Sequence, residues 1–314
     1  MKNILISGSL VYDRIMDFPG RFADHILPEK IHNINLSFVI KDLKENFGGT
    51  AGNIAYNLAL LKERPSLIAC VGRDFAPYEA WLKKNGIETG QLKRLKDKLT
   101  SAAFIITDKS DNQIAGFNPG AMAVARGSFD GGLLKEGLAI IAPGNNEDME
   151  KYAALYKKKK ISYIFDPGQA LSALEPAAIR SSLEGAEILI GNDYEVELIK
   201  KKTGLATAEI IDKVNILIIT KGEKGSEIFT KTGRFEVRAA KPERVVDPTG
   251  AGDAYRAGLI KGLLAGLEIK EAARLASAVA SFAVECYGGQ THKFSWKSLK
   301  KRYGESYGES IKNF

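Results

Sequence analysis

The stretch Val246-Asp247-Pro248-Thr249-Gly250-Ala251-Gly252-Asp253-Ala254-Tyr255-Arg256-Ala257-Gly258 decides how the rest of this chain is read. A strand-like end runs into a glycine-rich turn and then into a helical pattern, with Ala257, Ile260, Leu264 and Leu267 on one face. The free N–H groups of a helix start, which glycines allow a ligand to approach closely, make an anion site. No Gly-Lys-Ser/Thr follows, so this is not a Walker loop. Asp253 falls where the helix begins. Taken alone it reads as an N-cap that satisfies backbone donors. Beside an anion-binding turn, however, a carboxylate would repel a phosphate unless it handles a proton there. A base next to a phosphate cradle suits phosphoryl transfer to a hydroxyl.

A second glycine-rich segment, Phe47-Gly48-Gly49-Thr50-Ala51-Gly52-Asn53-Ile54-Ala55-Tyr56-Asn57, also leads into a helix. Ile54, Leu58 and Leu61 give that helix its apolar face, and Asn53 near its start offers an amide to hydroxyls. The glycines there also fit a purely structural reading, as packing punctuation.

Outward from these segments, strand-like runs at 3–7, 66–71, 103–107, 138–142, 162–165, 188–190 and 216–220 alternate with helical stretches at 53–64, 78–85, 149–160, 193–202 and 253–267. Several of the strands are continuous apolar runs, as expected when both faces are buried. The order predicts an α/β fold with a central, mainly parallel sheet covered by helices. Two stretches break the rhythm. Residues 18–44 contain no long helix, and 99–117 read as a hairpin with its turn at 108–112. These predict a small β sheet, 15–44 with 99–117, beside a domain made of 1–14, 45–98 and 118–314. The tail from 295 to 314 is basic and polar, with an end free to fray.

Composition narrows the function classes. Of 314 residues, 45% are apolar and 26% charged, which excludes a largely disordered chain. The longest uncharged run, 46–61, is too short and too polar for a spanning helix, and the start lacks a signal peptide's apolar stretch. Cys70 and Cys286 make neither a disulfide framework nor a zinc site, so a cytoplasmic setting is expected. The three histidines are too scattered to argue for a metal site. The net charge of +7 has no accompanying stripe of basic and aromatic residues, so no nucleic-acid partner is expected. Lys157 to Lys160 read as a solvated helix end, where cations suit the dipole.

Together, the two glycine-rich segments resemble the two signatures of the ribokinase-like carbohydrate and nucleoside kinase family, and the resemblance covers nearly the whole chain. Asn192-Asp193-Tyr194-Glu195 resembles its Asn-x-x-Glu motif, Thr220-Lys221-Gly222-Glu223-Lys224-Gly225 its nucleotide-binding strand and turn, and Ser7-Gly8-Ser9 with Asp13 its N-terminal substrate segment. Within the family, 17–22, 27–29, His32, 36–38, 112–114, 117–122 and 166–169 resemble the bacterial adenosine kinases of the mycobacterial type. The chain departs from that type at Asn118, Ala170 and Ala173, where the type has Tyr, Gln and Arg.

The resemblance implies a three-layer αβα domain with a β-sheet lid, and an ATP- and magnesium-dependent adenosine kinase that makes AMP and ADP. It implies that Asp253 is the general base on the 5′-hydroxyl and that Gly250, Ala251 and Gly252 form the anion hole. Asn192 and Glu195 would organise magnesium through water, with Asn192, Thr220, Gly222 and Gly225 on the ATP side. Asp13 would grip the ribose hydroxyls, with Ser9, Gly49 and Asn53 as neighbours. Ser37, Phe104, Phe117, Met122 and Gln169 would surround the base. The family often has a monovalent-cation site near the anion hole, with K+ the candidate ion and Asp247 the candidate residue. Exposed lid edges predict a homodimer through the lid. The alternatives are a broader purine-nucleoside kinase, a ribose-type sugar kinase, and, outside the enzymes, a catalytically silent nucleoside sensor. The intact Gly-Ala-Gly-Asp turn speaks against the sensor. No Gly-x-Gly-x-x-Gly follows the first strand, which disfavours a dinucleotide-dependent oxidoreductase.

Overall fold

The computed structural model describes residues 3–129, 137–312 and 314. In chain order its first elements are β1 (Asn3–Ser7), β2 (Val11–Asp17), β3 (Asp42–Gly48), α1 (Thr50–Leu60), β4 (Ser66–Ile68), β5 (Cys70–Val71), α2 (Ala76–Lys84), β6 (Lys93–Arg94), β7 (Ser101–Thr107), β8 (Gln113–Asn118) and β9 (Gly137–Ile141). There follow α3 (Asn146–Lys159), β10 (Tyr163–Phe165), α4 (Pro176–Leu183), β11 (Ile188–Asn192), α5 (Asp193–Thr203), α6 (Thr207–Lys213), β12 (Ile216–Thr220), β13 (Ser226–Thr230), β14 (Gly233–Val237), α7 (Ala251–Leu264), α8 (Ile269–Ala283) and α9 (Trp296–Tyr307).

The main sheet runs β14-β13-β12-β11-β10-β9-β1-β4. Its six strands from β12 to β4 are parallel, and β13 and β14 add an antiparallel edge. The apolar runs are buried on both faces, and the two-residue period sorts them. Ile6, Ile140, Ile164, Ile190 and Ile218 pack in one core with α1, α7 and α8. Leu5, Ile141, Phe165, Leu189 and Leu217 pack in the other with α3, α4 and α5. This is the predicted α/β architecture, with helices on both faces of a mainly parallel sheet.

Helices α7 and α8 approach closely because small residues face each other. A Cβ at Gly258 would lie 2.6 Å from Ala276 Cα, and one at Gly262 2.8 Å from Ala272 Cα. That contact fixes the helix whose start carries Asp253. The basic, polar tail, in which no helix was anticipated, carries a packed one: Leu299 and Tyr303 of α9 are buried in the core shared with α8. Their four-residue spacing was masked by the lysines between them.

The lid is a second sheet of order β3-β2-β7-β8. Its strands span 11–17, 42–48, 101–107 and 113–118. The expected hairpin is β7–β8. Its turn is fixed by Asp108, whose Oδ1 accepts from the N–H groups of Ser110 and Asn112. Asp108 Oδ2 accepts from Phe22 N at 2.9 Å and so ties the two insertions together. No described helix is long and apolar enough to cross a membrane.

Candidate active site

The C-terminal ends of the parallel strands, where α/β sheets bind ligands, gather most of the candidate residues. At the start of α7, Gly250 is the N-cap with φ of 78°, a left-handed conformation that favours glycine. A Cβ at Gly250 would also meet Gly289 Cα at 2.8 Å. The N–H groups of Ala251 and Ala254 are taken by Pro248 O and Gly250 O. Those of Gly252 and Asp253 have no acceptor within the helix, so the turn presents donors to an anion.

Asp253 is not the N-cap but the third residue of α7. Its carboxylate leaves the backbone alone: Oδ2 accepts from Asn53 Nδ2 at 2.8 Å. The two glycine-rich segments, 200 residues apart, therefore meet at this bond. Burial is the largest influence on Asp253 and pushes its carboxyl up to about 7. Arg256 and the Asn53 amide pull it down, while Asp166 and Glu195 push it further up. Arg256 itself is clamped by Asp166, with Nε to Oδ2 at 2.5 Å and Nη2 to Oδ1 at 2.6 Å. Its Nη1 donates to Gly252 O at 3.1 Å, which ties the clamp to the anion-binding turn.

Asn192 and Glu195 close a capping box on α5: Asn192 Oδ1 accepts from Glu195 N, and Glu195 Oε2 from Asn192 N, both at 2.8 Å. Both residues thus hold the helix start, with Asn192 Nδ2 and Glu195 Oε1 outside the box. Burial pushes the Glu195 carboxyl up, and Asp166 adds to this. Thr220 pairs in register with Asn192 across β12 and β11, and Gly222 and Gly225 form the turn that follows. Asp247 accepts from Thr249 N at 2.9 Å and Gly288 N at 2.8 Å. Burial opposes its charge, yet these two bonds hold its carboxyl below the usual range. Among the described residues, no group of three or more His, Cys, Asp or Glu side chains is arranged to hold a metal ion.

On the acceptor side, Ser9 Oγ accepts from Thr50 N at 3.0 Å and caps α1 from outside. Gly49, with φ of 87°, leaves no room for a Cβ, which would lie 2.5 Å from Ser9 O. Asp13 lies over Gly48, where a Cβ would come within 2.1 Å of its Oδ2, and burial pushes its carboxyl up to about 6.

The base-side residues are less gathered. Ser37, Phe117 and Gln169 are exposed, and Met122 is half-buried. Phe117 shares Asp13's face of the lid, because Asp13, Ala103 and Phe117 stand in register across β2, β7 and β8. Phe104 does not. As the next residue on β7 it points to the opposite face, against the guanidinium of Arg14 at 5.3 Å. Strand alternation thus puts it on the lid face away from Asp13.

Several residues of the site were not singled out from the sequence: Arg256, with Asp166 as its clamp, and a group made of buried Gln290 and Tyr78 with half-buried Trp81. Arg256 follows Asp253 at i+3, a spacing that shares a helix face. Gly288-Gly289 marks the loop that brings Gln290 in; a Cβ at Gly289 would sit 2.5 Å from the Asn53 amide.

Residues 9–296 match the model of the pfkB family of carbohydrate kinases. The chain belongs to that family. The matched span includes every candidate residue above. The chain is 34% identical over 277 residues to the nucleoside kinase of Methanocaldococcus jannaschii, a match covering 87% of this chain and 91% of that one. The nucleoside kinase of Burkholderia thailandensis, solved in complex with inosine, superposes with a TM-score of 0.84 at 36% identity, covering 98% of this chain and 99% of the other. The same enzyme in complex with ADP-inosine gives 0.83 at 37%, covering 98% and 97%.

Proposed function

We propose that this chain is an ATP-dependent nucleoside kinase that phosphorylates the 5′-hydroxyl of purine ribonucleosides, adenosine among them, to give the 5′-monophosphate and ADP. The observation that carries this is Asp253, held by Asn53 at the mouth of the Gly250–Gly252 turn with its carboxyl pushed up to about 7. A base poised near neutral pH combines a useful ionised fraction with useful basicity. It takes the 5′-hydroxyl proton as that oxygen attacks the γ-phosphorus and the bond to ADP breaks. The N–H groups at the start of α7 meet the charge that develops on the transferred group.

Asp13, buried enough to favour partners that hydrogen-bond its charged form, accepts from the ribose hydroxyls. Magnesium, when bound, neutralises phosphate charge. Asn192 and Glu195, at the start of α5, would hold its water shell. The loops tied by Asp247 and Gly288 would supply carbonyls to a potassium ion. Small side chains at Asn118, Ala170 and Ala173, and the exposure of Gln169, support acceptance beyond adenosine. So does the likeness to an enzyme solved with inosine. We place the expected homodimer contact on the outer lid face, where Leu43, Phe104 and Ile114 are exposed. Sedimentation showing only monomer at micromolar concentration would remove it.

The test is ATP-dependent phosphorylation across adenosine, inosine, guanosine, cytidine, ribose and fructose, with magnesium and potassium present. Purine nucleosides are expected to be phosphorylated fastest. Turnover of adenosine alone would narrow the reading to an adenosine kinase. Faster turnover of ribose or fructose would overturn it, and no turnover at all would favour a silent sensor.

A further inference from the structure

We propose that Trp81, Gln290 and Asn53 form a one-way hydrogen-bond relay that grips Asp253 by Oδ2 and turns Oδ1 to the acceptor hydroxyl. Trp81 and Gln290 are thus positioning residues for phosphoryl transfer. The inference rests on the reading of Asp253 as the base.

The relay joins four separate elements. Trp81 on α2 donates from Nε1 to Gln290 Oε1 at 3.1 Å. Gln290, in the loop after α8, donates from Nε2 to Asn53 Oδ1 at 3.1 Å. Asn53 on α1 donates from Nδ2 to Asp253 Oδ2 on α7 at 2.8 Å. The two ends set the direction. An indole N–H can only donate, and an ionised carboxylate can only accept. The two carboxamides between them can satisfy both ends in one orientation only. A flipped Asn53 would aim its oxygen at the carboxylate, and a flipped Gln290 would set two donors against each other at Trp81.

Neither amide has water to fall back on, since Asn53 and Gln290 are 6% and 4% exposed. Leaving one of these groups unpaired would be costly. The second Gln290 hydrogen is also spent. It goes to Tyr78 Oη at 2.5 Å, and that hydroxyl donates to Gly48 O at 2.8 Å. Gly289 packs its bare Cα against the Asn53 amide, and a Cβ there would lie 2.5 Å from that group.

The scaffold behind Asn53 does not titrate near neutral pH. Asn57 Nδ2 donates to Asn53 O at 3.0 Å, so Asn57 Oδ1 accepts from His292 Nε2 at 2.8 Å. Burial holds the His292 ring neutral down to about 4. The charged groups that face Asp253 are Arg256 on its own helix, Asp166 after β10 and Glu195 on α5. The relay variants touch none of them.

Two variants test the relay, with Asp253→Asn run alongside. Trp81→Phe deletes the indole donor and keeps an aromatic ring between Phe47 and Tyr56. Gln290→Glu keeps the shape and the acceptor for Trp81 but cannot donate to Asn53, so it reverses the polarity. For both, kcat should fall, by on the order of a hundredfold for Gln290→Glu, with little change in KM for ATP. The Asn53 donation holds the Asp253 pKa down, so its loss should move the acidic limb of kcat/KM to higher pH, by roughly half a unit to one unit. Gln290→Glu also brings a negative charge that raises the Asp253 pKa by itself, so the limb of the charge-neutral Trp81→Phe discriminates: a purely structural role would lower Tm and leave that limb in place. Folded variants with the wild-type limb and kcat, next to an inactive Asp253→Asn, overturn the relay and leave the base assignment standing. An active Asp253→Asn overturns the base assignment and the relay with it. If Gln290→Glu does not fold, the limb of Trp81→Phe decides alone.

Discussion

Asp166 and Arg256, 90 residues apart, close a two-pronged ion pair with side chains 2% and 8% exposed, directly behind the Asp253 carboxylate. Burying two charges is costly, and the pair repays that only because both prongs are made. Breaking it strands a guanidinium. Asp166→Asn is therefore expected to cost about 3–5 kcal/mol of stability, read as a lower denaturant midpoint. It also removes a negative charge that raises the Asp253 pKa and leaves Arg256 uncompensated. Both effects favour the ionised base, so the acidic limb of kcat/KM should move to lower pH in the variant. A limb that moves up, or stays, would contradict the electrostatic account of Asp253.

Asp13 offers a second titration. Burial pushes its carboxyl up to about 6, and hydroxyl donors favour its charged form. Nucleoside binding should be strongest above that pH and weaken as pH falls through it, which shows as a rising KM for the acceptor with KM for ATP unchanged. Asp13→Asn should raise the acceptor KM by on the order of a hundredfold and blunt the preference for ribose over 2′-deoxyribose. Variant kinetics on adenosine and 2′-deoxyadenosine check both points.

Phe117 and Phe104 separate the two faces of the lid. Phe117 lies on Asp13's face and Phe104 on the other. Phe117→Ala should raise the nucleoside KM by roughly tenfold through lost stacking and burial. Phe104→Ala should leave that KM near wild type, because the ring lies on the lid face away from Asp13, against Arg14. Equal effects from the two would contradict the face assignment.

The fold was legible where local pattern and tertiary role agree. The continuous apolar runs that became β9 to β12 read as buried parallel strands, and the spacing of Ile54, Leu58 and Leu61 placed α1. Both glycine-rich turns were visible because a left-handed backbone at Gly49 and Gly250, with no room for a Cβ, demands glycine in sequence as well as in space. The α9 helix was hidden because lysines surround its two core residues, Leu299 and Tyr303. The face that Phe104 takes was not legible because it depends on a register that only the β2–β7 pairing sets. The relay was invisible for a plainer reason. Trp81, Gln290 and Asn53 lie far apart in sequence, and nothing local marks a Gln after Gly-Gly as the partner of an Asn 237 residues away.

The most direct test of the central claim compares wild type and Asp253→Asn on adenosine and inosine, following ADP release and the position of the new phosphate by phosphorus NMR. Wild type should place the phosphate on the 5′-oxygen, with kcat/KM falling below a pH of about 7. Asp253→Asn should lose about 10²–10⁴-fold in kcat. It should also be more stable than wild type at pH 8. A carboxyl whose folded pKa is raised stabilises the fold while protonated, and that contribution is lost as pH rises through about 7. A variant that phosphorylates either nucleoside at near wild-type rate, or a wild-type product phosphorylated elsewhere, would contradict the account.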